Sequence, residues 1–275
     1  MTRGVRKVLN GNLAPVLDCY NYQLVKFEWE FNMRVRILQV VFLLLTAFAA
    51  KADFVGIHGG AGYWDSQMGG VILADEVNLE DDLNLTGNSS NHFWFALEHP
   101  VPLLPNIRVA ATQLEDGGDG TISQDFIFLG TTYSVSQQVH TEIDLTHADV
   151  TLYYEIIDIG MDLDVGVTAR WIDAQVSIEN FTESADVVVP MVYARAKFGL
   201  PFSGGYVAGD VNAAKYKGNG LTDYTVKVGW ETENFIFPEF GIEVGYRDFS
   251  LDADDSDLFF DVNIEGAFLN LTAHF

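Results

Sequence analysis

Two short runs place titratable groups where they could act together: His147-Ala148-Asp149 and Asp162-Leu163-Asp164. Residues two apart on an extended strand share a face. His147 would therefore stand beside Asp149, and Asp162 beside Asp164. Paired carboxylates near a His–Asp pair are the equipment for activating a water by general-base catalysis. Acidic runs offer a second chemistry. "LDADDSDL" gathers Asp252, Asp254, Asp255 and Asp257, and "LEDDLNL" adds Glu80, Asp81 and Asp82. Carboxylates at this density suit Ca²⁺ or Mg²⁺, hard cations with oxygen ligands. "EDGGDGTISQDF" (115–126) half-matches a calcium loop, with Gly120 at the sharp turn. It fails where ligands are needed, at Gly117 and Phe126. Solvated acidic loops explain all three runs without a metal. No cofactor is expected, with loop-bound Ca²⁺ or Mg²⁺ the one exception held open.

The elements that must position these groups are strands. Val165, Val167, Ala169 and Trp171 alternate with Asp164, Gly166, Thr168 and Arg170, and similar alternation runs along most of the chain after residue 53. Strict alternation marks a strand with one apolar and one polar face. Ten strands are predicted, at 54–64, 91–98, 106–115, 142–156, 161–172, 187–199, 205–216, 222–232, 240–250 and 258–275. Eight remain if the second and one neighbour are not real. Short connections follow the second, fourth, sixth and eighth strands. Long or acidic ones, 65–90, 116–141, 173–186, 217–221 and 251–257, follow the odd strands. "FIFLGTTYSV" (126–135) is a candidate further strand pair projecting beyond the rest.

Short turns on one side and long loops on the other make the pattern of a closed antiparallel transmembrane β-barrel, an all-β fold. Lipid offers no hydrogen bonds, so a chain without apolar helices can span only as a closed ring of strands. Aromatics near the predicted strand ends, Tyr63, Trp64, Phe93, Phe95, Trp171, Trp230, Phe235, Phe237 and Phe249, read as interfacial belts. The polar faces carry Arg108, Arg170, Arg195, Lys197, Lys227 and Arg247, with Glu98, Asp149, Glu155, Asp162, Asp164, Asp210, Glu231 and Glu243. Such a lumen is either a charged pore or an interior zipped by ion pairs. The zipped interior is favoured, because small barrels fill with their own side chains.

Composition narrows the partners. The chain has 275 residues and a net charge of -24. That excludes nucleic acid, whose phosphates need clustered Lys and Arg. "MRVRILQVVFLLLTAFAAKADF" from Met33 has the charged start, apolar stretch and small-x-small site of a secretory signal peptide, 33–52, cleaved near Ala52. Residues 1–32 are expected to be a mis-called upstream extension. The part after residue 52 keeps 8 of the 15 basic and 36 of the 39 acidic residues, and no cysteine. A free thiol would be a liability in an oxidising exported compartment.

The chain ends "GAFLNLTAHF", with Leu269, Leu271, Ala273 and Phe275 on one face. This resembles the terminal-Phe signal read by the barrel assembly machinery of Gram-negative bacteria, although Asn270 stands where that signal commonly has glycine. "LTHADVTLYYEIID" (145–158), "DLDVGVTARWID" (162–173), "VPMVYARAKFGLPF" (189–202), "GYRDFSL" (245–251) and the last strand resemble a family of small Gram-negative outer-membrane β-barrel proteins of unassigned function. The resemblance covers most of residues 53–275. It implies a fold and an outer-membrane location, and brings no catalytic residues.

The His–Asp arrangement is also similar in residue types to that of the ten-stranded omptin proteases. On these strands, however, His147 lies towards the outer rim and Asp162 and Asp164 near the opposite turn, so no enzyme is expected. The expected role is structural or surface-interacting, in a monomer with acidic loops facing lipopolysaccharide, cations or a partner. A narrow passive pore is the alternative, and an omptin-like hydrolase a distant third.

Overall fold

The computed structural model describes residues 55–73, 77–101, 103–201, 203–232, 238–255 and 258–275. The predicted signal peptide and upstream extension lie outside these residues, as do Phe235, Phe237 and Asp257. The strands are β1 (Gly56–Ile72), β2 (Val77–Asn78), β3 (Ser89–Glu98), β4 (Asn106–Thr112), β5 (Glu115–Thr121), β6 (Phe126–Phe128), β7 (Thr131–Tyr133), β8 (Gln138–Asp158), β9 (Asp162–Ile178), β10 (Phe181–Gly199), β11 (Gly205–Tyr216), β12 (Asn219–Glu231), β13 (Glu239–Asp255) and β14 (Leu258–His274). Among the described residues there is no helix.

Ten of these strands form an antiparallel ring, in the order β1-β3-β4-β8-β9-β10-β11-β12-β13-β14. The ring closes where β14 pairs with β1, from His58↔His274 to Ile72↔Phe260. No barrel edge is left at the chain ends, which is what removes the template for edge-to-edge pairing. The end of the barrel that carries Gly56 and His274 is called the base here, and the opposite end the crown. At the crown, β5 continues the wall beyond β4 by pairing with β8, and β6–β7 form a separate hairpin. That hairpin is the projecting strand pair expected from 126–135.

The crown departs from expectation in one systematic way. Segments 173–186 and 217–221, and residues 251–255 of the predicted loop 251–257, are not long loops. β9 and β10 continue to a two-residue turn at Glu179 and Asn180, and β11 and β12 turn at Lys217 and Gly218. Both turn residues of the second hairpin are left-handed (φ 51° and 100°). A two-residue turn of this type needs that geometry at both central positions to match the twist of the strands. Asp252, Asp254 and Asp255 lie on the strand backbone of β13, not on a loop. The half-matched calcium loop is likewise mostly strand, with residues 115–121 forming β5.

The reason is a reversal of the alternation halfway up the wall. In the lower half the outward residues are apolar and exposed: Leu152 and Tyr154 on β8, Val165, Val167 and Trp171 on β9, Val226 and Val228 on β12, Leu269 and Leu271 on β14. Their inward neighbours are polar or charged. In the upper half the inward residues are apolar and buried: Ile143 and Leu145 on β8, Ile172, Val176 and Ile178 on β9, Val262 and Ile264 on β14. Their outward neighbours are Asp144, Asp173, Gln175, Asn263 and Glu265. One wall thus has a lipid-compatible lower half and a water-compatible upper half. Trp64 and Phe249, expected in the interfacial belts, are inward and buried in this upper core. Tyr63, Phe93, Phe95, Trp171 and Trp230 are outward and exposed.

The upper core is completed by a segment tucked into the crown. After β1 the chain re-enters, pairs β2 with the end of β1, and packs Val77, Leu79, Leu83 and Leu85 against Trp64, Met68, Leu114, Ile143 and Phe249. Gly118 and Gly120 of β5 face this segment. An added Cβ would lie 2.3 Å from the Asn84 carbonyl oxygen and 2.0 Å from that of Asp82. Glycine at both places lets the two backbones touch.

Candidate functional site

The lower lumen is filled by ion pairs in three tiers. Nearest the crown, Arg170 (1% exposed) grips Asp149 with two bonds of 2.7 Å and reaches Asp223 with a third. Arg247 holds the same Asp223 through Nε and Nη2 at 2.8 and 2.7 Å. Arg247 also donates to Thr112 at 3.1 Å and meets His147 Nε2 at 3.2 Å. His147 Nδ1 lies 2.9 Å from the Leu145 carbonyl, so Nδ1 carries the hydrogen and Nε2 accepts. Trp64 and Phe249 roof this tier, with the Arg247 guanidinium 4.6 Å from the Trp64 ring centre. Bidentate, charge-assisted bonds inside an apolar lid are the strong form of the interaction.

In the middle tier, Glu243 accepts from Tyr206, Lys227 and Asn270 at 2.7, 3.2 and 3.0 Å. Asp210 accepts from Thr225 at 2.7 Å and lies 3.7 Å from Lys227. At the base, Lys197 pairs with Glu231 at 3.1 Å, Arg195 with Asp164 at 3.7 Å, and Glu98 accepts from Tyr153 at 2.8 Å. Arg108 sits over the Trp94 ring, at 5.2 Å. Small cavities lie among these side chains, one of about 40 Å³ beside Arg108, Arg170 and Arg247, and one of about 80 Å³ at the base. Arg170 Nη1 has no protein partner and borders the first. A single water fits there and would satisfy it.

The residues singled out for chemistry are used otherwise or kept apart. His147 and Asp149 sit in the top tier, opposite Ile172 and Arg170 on β9. Asp162 and Asp164 are at the base, opposite Asp158 and Glu155. No single substrate atom could reach both pairs. Among the described residues, the carboxylates that approach one another closely enough to share a metal are Glu155, Asp158 and Asp162, at the base. Asp223, the hub of the top tier, was not singled out in the sequence. It sits at the start of its strand, and its signal was parity with Thr225 and Lys227.

At the crown, Asp82 is structural. Its carboxylate accepts from the backbone N–H groups of Asn78 and Ser123, both at 2.9 Å, and so ties the tucked segment to the loop after β5. Asp116 makes a second tie, accepting from Gly87 N–H at 2.8 Å. Burial pushes the Asp82 pKa up, but the bonds from Ser123 and Asn78 outweigh it and hold the group below its ordinary value. A depressed carboxylate stabilises the fold above its unfolded pKa, and that contribution is lost as pH falls through the folded one. Acidification below about pH 4, the ordinary Asp range, should therefore loosen residues 77–88 first. Amide exchange corrected for its intrinsic pH dependence should show this, and Asp82→Asn should abolish the pH dependence there. Equal acid sensitivity in both proteins would remove Asp82 as the cause.

This is the architecture of a closed antiparallel transmembrane β-barrel whose lower lumen is crossed by ion pairs. No protein-family model and no curated protein sequence matches the chain. Among solved structures it is similar to the transport unit of the autotransporter AIDA-I from Escherichia coli, with a TM-score of 0.37 and 9% identity over 82% of this chain and 90% of that one. It is also similar to a FadL homologue of Pseudomonas aeruginosa, with a TM-score of 0.31 and 9% identity over 83% and 91%. A third is the Ralstonia pickettii toluene transporter TbuX, with a TM-score of 0.29 and 6% identity over 82% and 90%. The fold assignment rests on the closed ring of strand pairing, not on these distant likenesses.

Proposed function

We propose that the chain is a non-enzymatic, monomeric outer-membrane barrel that does not conduct, and that it acts through its acidic, outward-facing crown. The observation that carries this is the double seal: three tiers of ion pairs below and an apolar core above. The two cavities at these tiers, about 40 and 80 Å³, are each room for a few waters. The apolar lower wall supports contact with lipid, and the outward exposure of Leu269, Leu271 and Phe275 supports their reading as part of an assembly signal. The base then faces the periplasm. The crown meets lipopolysaccharide and its bound cations with exposed Glu80, Asp81, Glu142, Glu179, Glu183 and Asp186. Single-channel recording of the purified protein in a planar bilayer should show silence from inserted molecules. Steady conductance steps would sink this reading in favour of a narrow pore.

A further inference from the structure

At the crown the ring of strands is open in one place. β10 stays paired with β9 up to Phe181↔Ile178, but its pairing with β11 stops at Val192↔Ala213. The β11–β12 hairpin turns at Lys217 and Gly218, too soon to cover the rest of β10. Among the described residues nothing pairs with the second edge of β10 from Phe181 to Met191. Residues 181–188 are exposed whichever face they point to. Alternate residues of a strand in an antiparallel ladder turn their N–H and C=O away from the partner they are paired with, here into the opening. A free edge of this kind is a template for another strand. Val187, Val188 and Val189 are strand-forming residues, and the one proline of this stretch, Pro190, stands at its foot.

The charges around the opening say what would enter it. Asp186 lies directly opposite Asp173 of β9, and both are outward and exposed. Across the opening, Asp252 of β13 lies directly opposite Asp261 of β14, and both are again exposed. Like charges directly opposite on neighbouring strands destabilise a sheet, and two such pairs flank this one gap. The second pair borders a groove of about 950 Å³ that runs from Pro190 and Met191 across the β11–β12 hairpin to β14, with Lys215 the one basic residue in its lining. A second copy of the chain is a poor occupant. Two copies in one membrane are related by rotation about its normal, so strands tilted by about 40° would cross rather than run side by side. Where they met, acidic edge would face acidic edge.

We propose that the free edge of β10 takes up an extended basic peptide of another protein as an added strand. Its Lys or Arg side chains lie outward beside Asp186 and Asp173, and its apolar side chains inward beside Val187 and Val189. This names a partner class for the outward-facing crown and rests on that reading, but not on the sealed lumen. The probe is a capped, fluorescent octapeptide of alternating lysine and valine, its binding to the purified protein in zwitterionic micelles read by anisotropy. It should bind saturably, and the same peptide with glutamate for lysine should not. A strand shows alternate N–H groups on opposite edges. N-methylation of one set, the lysines or the valines, should therefore abolish binding, and methylation of the other set should leave it. Asp186→Lys should weaken binding by about tenfold, as a favourable cross-strand pair becomes a like-charge one. It also removes the clash with Asp173, which spares the fold. Glu115→Lys, the same change of charge on β5 beyond β8, should leave binding unchanged. Each variant is first shown to be folded by the shift of its gel band on heating. Equal binding by both methylated peptides, equal weakening by the two lysine variants, binding of the glutamate peptide, or pairing of the protein with itself through this edge would each overturn the proposal. Asn180→Cys, at the β9–β10 turn of a chain with no other cysteine after residue 53, scores the outward crown separately. An impermeant maleimide should label it on intact cells, and failure to label would sink that reading while the anisotropy still decides the strand addition.

Discussion

Asp223→Ala should lower the unfolding free energy of the barrel by about 3–5 kcal/mol, the usual cost of removing one partner from a buried ion network. Asp223 is 5% exposed and is the carboxylate that Arg170 and Arg247 share. Without it, Arg170 keeps Asp149, but Arg247 keeps only Thr112 and His147, which carry no formal charge in this arrangement. A guanidinium then lies beneath Trp64 with no anion, and a methyl group cannot admit enough water to compensate. Urea unfolding of the protein in lipid vesicles, followed by tryptophan emission, measures the loss.

The contrast that isolates the cause is removal of the whole tier. Asp149→Leu, Arg170→Met, Asp223→Leu and Arg247→Met together should cost less than Asp223→Ala alone, because no charge is left unpaired. Unfolding of Asp223→Ala within about 1 kcal/mol of wild type, less than a typical buried network loss, would mean that water already shares the load.

All ten barrel strands were legible in the sequence, and so was the 126–133 hairpin, because period two survives in every one. What was not legible was where the strands stop. Tyr63-Trp64 and Trp171-Ile172 are adjacent apolar pairs. The predicted strands ended at these pairs, at 64 and 172. In the structure β1 runs to Ile72 and β9 to Ile178. The pair marks the height at which the apolar face crosses from outside to inside. A period-two reading locates strands, but it carries no label for which face meets lipid. That label changes at Trp64, which belongs to the inner core, one residue after Tyr63, which faces out.

The lumen was legible as a set of charged positions and not as a network. Parity places Arg170, Lys227, Arg247 and Glu243 on polar faces, and no feature of one strand says that Asp223 is held by two others. The tucked segment was hidden for another reason. "LEDDLNL" was read through its carboxylates as a solvated loop, while its leucines carry the packing. Leu79, Leu83 and Leu85 are spaced by four and then two residues, with Glu80, Asp81, Asp82 and Asn84 between them, so no sustained apolar periodicity announces them, and all three are fully buried.

Those leucines give the second large effect. Leu79→Ala, Leu83→Ala and Leu85→Ala should each cost about 2–5 kcal/mol, the range for emptying a well-packed site. Together they exceed what the Asp82 and Asp116 ties can hold, so residues 77–88 should leave the crown. Protease cleavage within that segment, resisted by the wild type, should become rapid. The barrel beneath should nevertheless stay silent in a planar bilayer, because the tier of Arg170, Asp149, Asp223 and Arg247 spans the lumen below the leucines and does not depend on them. Conductance appearing in the triple variant would show that the apolar core is the seal and the ion pairs only its support. Conductance appearing only when Arg247→Ala is added would show two seals in series, the arrangement proposed above.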